Sequence, residues 1–155
     1  MASKYKIISI AILLIGCIGL FYSCDPIELL DPPHKAYSYV INNTQDDIIL
    51  EKDFFGTSSI IIKKDSIKKI IFLEIGKDDT SGYFFASQIF EDDNFSVSVY
   101  SKDRNVLLKT WNRYYTDTTQ KQFFRESDWI KKEYEKTPYI FHEYTFTINQ
   151  EDINK

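Results

Sequence analysis

Few side chains in this 155-residue sequence could carry covalent, redox or metal chemistry. The only two cysteines, Cys17 and Cys24, lie within and just after an apolar stretch near the N-terminus, and the only two histidines are His34 and His142. A metal site needs several convergent ligands, and no His, Cys or carboxylate spacing here supplies them. No metal or other cofactor is therefore expected. His142 shares the parity of Tyr144 and Phe146 in an alternating run, which points it inward. A satisfied or rim histidine accounts for that position, whereas a catalytic base would need an acid or nucleophile brought beside it by the fold.

The acidic clusters Asp46-Asp47, Asp78-Asp79 and Glu91-Asp92-Asp93 sit where turns are expected, and turn chemistry explains aspartate there. Calcium is the alternative, but none of them has the spaced acids and central glycine of a calcium loop. There is no glycine-rich phosphate loop and no Gly-x-Ser-x-Gly elbow. A glycosidase carboxylate pair forms only in the fold and leaves no spacing to read. No catalytic residue is assigned.

Trp111-Asn112-Arg113-Tyr114-Tyr115 is the strongest surface candidate. Such large groups in succession cannot all face inward from a strand of period two. Trp111, Arg113, Tyr114 and Tyr115 are thus candidate binding residues, able to stack on sugar rings or form a protein-binding hot spot. The competing reading places Trp111 in the core and lets the tyrosines cover an edge.

The cysteines belong to a leader. Lys4 and Lys6 give a basic start, residues 7–22 are almost wholly apolar, and small residues precede each cysteine, the plan of a secretory signal peptide. That run of sixteen residues falls short of the roughly 20 that an untilted spanning helix needs. The leader resembles those of bacterial lipoproteins, whose lipobox is a large aliphatic residue, a tolerant position, a small residue and the lipidated Cys. Leu14-Ile15-Gly16-Cys17 matches that pattern more closely, and Phe21-Tyr22-Ser23-Cys24 has aromatic residues upstream. The end of the apolar run favours Cys24, because lipidation at Cys17 would leave Ile18-Gly19-Leu20-Phe21-Tyr22 as an apolar start to the mature chain. Cys24 is the expected lipidation site and Cys17 the second choice.

The resemblance implies a diacylglycerol thioether and an N-acyl group on the cysteine, and two or more chains give stable anchoring. The partitions are then a signal peptide at 1–23, the lipidated Cys with a flexible tether at 24–35, and a domain at 36–155. The Cys-Asp start and the acidic, proline-bearing 25–35 segment are similar to small, uncharacterised β-rich lipoproteins of Bacteroidota-type bacteria. That likeness implies an envelope location, on the outer membrane and facing the periplasm or the surface, and no activity. Asp65-Ser66-Ile67 and Asp117-Thr118-Thr119 resemble the O-glycosylation acceptor motif of those bacteria, and Asn42-Asn43-Thr44 makes a good turn.

Composition bounds the rest. The formal charge is −4, and setting aside Lys4 and Lys6 leaves 17 bases against 23 acids, or −6. That balance, with no basic stripe, lacks the attraction nucleic acid demands. The mature fold has no cysteine beyond the anchor, so no disulfide or internal thiol supports it. It must rely on a core drawn from a sequence that is 16% aromatic.

The elements that would position these residues read as strands. Short β-branched and aromatic runs at 37–41, 48–50, 59–63, 67–75, 95–99, 106–111 and 139–148 are separated by polar turns. Runs 59–63 and 67–75 look like a pair turning at Lys64-Asp65-Ser66, with Ile67, Ile71, Leu73 and Ile75 on one face. Residues 83–90 are ambiguous between strand and helix. Residues 127–136 are the helical candidate, with Ser127 as cap, Ile130 and Tyr134 at i, i+4, Trp129 as docking anchor and Pro138 as terminator. The expected fold is all-β, mainly antiparallel: a β-sandwich, Ig-like or transthyretin-like, with one short helix before the last strand. The expected role is a non-enzymatic, membrane-anchored binding or accessory module contacting envelope protein or glycan. The alternative is an exported glycan-active hydrolase using carboxylates.

Overall fold

A computed structural model describes residues 32–56, 58–76, 82–88, 94–104, 106–117 and 119–153. The leader with Cys17 and Cys24, most of the tether, Asp78-Asp79, Glu91-Asp92-Asp93 and Thr118 lie outside the described residues.

Among the described residues, eight strands form two four-stranded sheets. One has the order β4 (Ser66–Ile75), β1 (His34–Asn43), β8 (Tyr139–Asn149), β7 (Ile130–Lys136). The other has the order β3 (Ser58–Ile62), β2 (Ile48–Lys52), β5 (Ser96–Ser101), β6 (Leu107–Asn112). Every neighbouring pair is antiparallel except β1 with β8, which run parallel. The fold is an all-β sandwich, and among the described residues the single α-helical turn, Gln150–Ile153, follows the last strand.

Period-two alternation builds the interior. Ala36, Val40, Tyr144, Phe146 and Ile148 face inward from the first sheet, and Ile48, Leu50, Ile62, Val97, Val99 and Trp111 face them from the second. Each fully buried aliphatic or aromatic side chain contributes about 1.5–3 kcal/mol relative to exposure. Phe54, Phe85, Phe123 and Trp129 close one flank with stacked, tilted and edge-to-face ring contacts. The two indoles are satisfied: Trp111 Nε1–H donates to Lys121 O at 2.9 Å, and Trp129 Nε1–H to Phe123 O at 2.7 Å. Lys52, also buried, donates to the carbonyls of Phe54 and Gly56, and burial lowers its amine's pKa.

The structure departs from the sequence expectations in several places. Residues 127–136 do not form the expected helix. A short 3-10 turn, Glu126–Asp128, leads directly into β7. Five of the seven β7 residues are charged, so a helix there would bury almost nothing. As a strand it pairs its backbone with β8 and sets Tyr134 against Phe141, while the charges guard an open edge. Trp129 packs the 3-10 turn into the core rather than docking a helix.

The runs before and after Lys64-Asp65-Ser66 are not a hairpin. β3 pairs with β2 and β4 with β1, so this turn carries the chain from one sheet to the other. Asp65, at φ 55°, donates its N–H to Asn42 O within that crossing. Ile67 also falls on the opposite face from the one expected. A bulge in β4 puts Ser38 opposite Ile71 but Tyr39 opposite Lys69, and the extra residue, Ile70, reverses the parity. Ile71 and Ile75 stay buried, and Ile67 points to solvent. The ambiguous 83–90 run contains a short 3-10 turn, Phe85–Gln88. Finally, β1 begins at His34, so His34 and Lys35 belong to the folded part and not to the tether.

Candidate functional site

Three arrangements bring chemically able side chains together. The first joins the two histidines. β1 and β8 run parallel with Ala36 opposite His142, and both His34 and His142 face inward at the end where the chain enters the sandwich. His34 Nδ1 lies 2.9 Å from His142 Nε2, so one ring donates and the other accepts. The Tyr83 hydroxyl is 3.3 Å from His34 Nε2, and the Tyr83 ring stacks on both imidazoles, at 4.4 Å on His34 and 3.9 Å on His142. Glu133 Oε2 is 3.1 Å from His142 Nδ1 but is not aligned as a hydrogen-bond acceptor.

Burial pushes the His142 pKa down. Glu133 opposes this, and His34 and Lys131 add to the lowering. Nearby Tyr144 is held strongly in its protonated form, first by burial and then by Glu126. This is a buried, hydrogen-bonded polar cluster. Among the described residues no group of three or more His, Cys, Asp or Glu could hold a metal ion.

The second arrangement is a cleft of about 530 Å³ at the opposite end of β1 and β8. Its floor is apolar, from Ile48, Leu108 and Ile153, and its rim carries Asp46, Asp47, Asp103, Lys64 and Lys102. Asn42, behind the cleft, holds its 44–46 wall in place. Its side chain is fully buried and donates to Asp46 O and Ile62 O, while its oxygen accepts from the N–H and hydroxyl of Thr44. Asp47 accepts from the Lys64 N–H at 2.9 Å and lies 3.3 Å from the Lys102 ammonium. These contacts hold the Asp47 carboxyl below its ordinary pKa.

The third is an aromatic stack on the outer face of the first sheet. Phe72, Tyr37, Phe141 and Tyr134 stack in turn across all four strands, with centroid spacings of 5.1, 6.0 and 5.2 Å and planes within 26°. Lys69 and Lys132 sit over the rings of Tyr37 and Tyr134, and Lys35 over Tyr139.

The residues singled out from sequence are dispersed by comparison. Trp111 is a core residue and no part of a surface. Tyr114 is exposed, and Arg113 and Tyr115 are half-buried. Arg113 lies over the Tyr114 ring and Arg125 over the Tyr115 ring. Asp46-Asp47 joins the cleft rim. Asn42 is consumed by its buried hydrogen bonds, and the Ser66 hydroxyl donates to Lys63 O.

Sequence reasoning missed the histidine pair, Tyr83, Glu133 and the aromatic stack. The stack left a trace, since Tyr37, Tyr39, Tyr139 and Phe141 put rings at outward positions of β1 and β8, where a half-solvated sheet is ordinarily polar. The histidine pair left none, because nothing local signals a parallel contact between the first and last strands. No protein-family model matches this sequence, and no curated protein or solved structure is significantly similar to it.

Proposed function

We propose that the chain is a bacterial lipoprotein, cut before Cys24 and held at the cell envelope by lipid on that cysteine, and that its domain is a binding or accessory module. The observation that carries the module reading is the position of the cleft. The chain coming from Cys24 enters at the His34 end of β1, and the cleft opens at the Thr44 and Gln150 end. At about 3.3 Å per residue the ten-residue β1 separates those ends by roughly 30 Å. A ligand-sized cleft remote from the anchor is open to an envelope protein or glycan.

Its chemistry favours binding over hydrolysis. Carboxylate catalysis on a glycosidic bond needs one carboxyl kept protonated, which requires a raised pKa. Asp47 is pushed the other way, and its lysine neighbours suit recognition of a polar, charged ligand. His142 beside Glu133 resembles an acid–base pair, but it is buried at the opposite end.

Two measurements test the proposal. Cys24→Ala should abolish incorporation of a labelled fatty acid and release the protein from membranes, while Cys17→Ala should do neither. The purified protein should be retained on isolated envelope glycan or its associated protein without generating new reducing ends, and Asp46→Lys with Asp47→Lys should weaken that retention. New reducing ends would favour the hydrolase reading.

A further inference from the structure

We infer that the outer face of the β4-β1-β8-β7 sheet docks on an anionic lipid surface, so that the anchored domain lies against the bilayer. This rests on the lipid anchor proposed above.

Strand register fixes the membership of this face. Opposite the inward-pointing residues, it carries Lys35, Lys69, Lys132 and Lys136 against Glu74 and Glu143. The face therefore has an excess of positive charge on a domain that is acidic overall. Lys35 approaches Glu74 at 3.7 Å, and Glu143 accepts the Tyr134 hydroxyl at 2.9 Å, which leaves Lys69 and Lys132 to the aromatic rings beneath them.

The same face carries exposed apolar groups beside its lysines. Ile67, Phe72 and Ile130 are 53%, 46% and 71% exposed. Tyr37, Tyr39, Tyr134 and Tyr139 lie among them, each with an apolar ring and a polar tip, the side-chain type that settles at a membrane–water interface. Because the rings stack on one another, they present edges and hydroxyl groups rather than the open ring faces a sugar would cover.

The point where the chain enters the domain selects the occupant. β1 starts at His34, beside Lys35 and Tyr37 on this face. Nine residues separate His34 from Cys24, a reach of at most about 36 Å even when fully extended. A tether that short keeps the face near the bilayer at high effective concentration, so modest attraction per lysine is enough to hold it there.

The test uses the lipidated protein carrying Ile130→Cys, labelled with an environment-sensitive fluorophore and placed in vesicles that contain a bilayer-embedded quencher. Ile61→Cys, an exposed position on the outer face of the other sheet, is the matched label. In phosphatidylglycerol vesicles the label at 130 should be quenched strongly and that at 61 little. The difference should vanish in phosphatidylcholine vesicles. Lys69→Gln with Lys132→Gln, which removes two positive charges, should lower the docked-to-undocked ratio by about thirtyfold. Equal quenching at both positions in anionic vesicles would overturn the inference, as would quenching at 130 that ignores lipid charge. Protection of the 130 label by a soluble acidic polysaccharide or protein, with none by vesicles, would also overturn it. A chain that does not float with vesicles at all would overturn the anchor itself, and the docked face with it.

Discussion

His34 and His142 are 108 residues apart in sequence and share a hydrogen bond of 2.9 Å inside the sandwich. Two imidazoles joined in this way hold one proton between the facing nitrogens. The folded-state pKa of His142 is depressed by burial, against the opposition of Glu133, with His34 and Lys131 reinforcing the shift. The unfolded chain therefore binds more protons below the ordinary histidine value of 6.5. The stability this group contributes is fully present above that pH and is lost as pH falls toward the depressed value. One excess proton limits the slope to about 1.4 kcal/mol per pH unit. Chemical denaturation between pH 7 and pH 5 should show stability falling with pH at no more than that slope, and His142→Asn should flatten the fall. An unchanged slope in the variant would assign it elsewhere.

Asn42 ties β1 to the cleft wall with four side-chain hydrogen bonds. Asn42→Ala removes them and strands buried partners, at a cost of about 1–3 kcal/mol for each group left unsatisfied, less what water recovers. A drop in denaturation midpoint, together with lost hydrogen-exchange protection at Thr44, is the expected outcome.

The bulge at Ile70 makes a paired prediction. Ile67→Lys, on the outer face, should change stability by no more than about 0.5 kcal/mol. Ile71→Lys should destabilise by several times that, because it buries an unpaired charge. Similar costs at the two positions would mean that β4 keeps a regular register.

Trp111 and Tyr114 separate core from surface within the segment that looked most like a binding patch. Trp111→Ala should cost about 3–5 kcal/mol through cavity formation, with the Lys121 carbonyl also losing its donor. Tyr114→Ala should stay within about 0.5 kcal/mol. Denaturant titration of both variants checks the contrast.

The sequence made legible what depends on local alternation. Val97 and Val99, or Tyr144, Phe146 and Ile148, declare a strand and its buried face, and enough such runs declare a sandwich. It hid what depends on pairing between distant segments. Ser127, Ile130 and Tyr134 fit a capped helix at i, i+4, and only the availability of β8 as a partner makes 130–136 a strand. The turn at Lys64-Asp65-Ser66 looks like a hairpin because nothing local shows that Ile62 and Ile71 belong to different sheets. The histidine pair depends on β1 and β8 lying side by side, and the aromatic stack on three successive registers.

The most direct test of the anchored-module account is the intact mass and N-terminal sequence of the protein isolated from its native membrane. The account requires a chain beginning at Cys24 and carrying a diacylglyceryl and N-acyl addition. A chain beginning at Cys17 would contradict the choice of site, and an unmodified, uncleaved N-terminus would contradict the anchor.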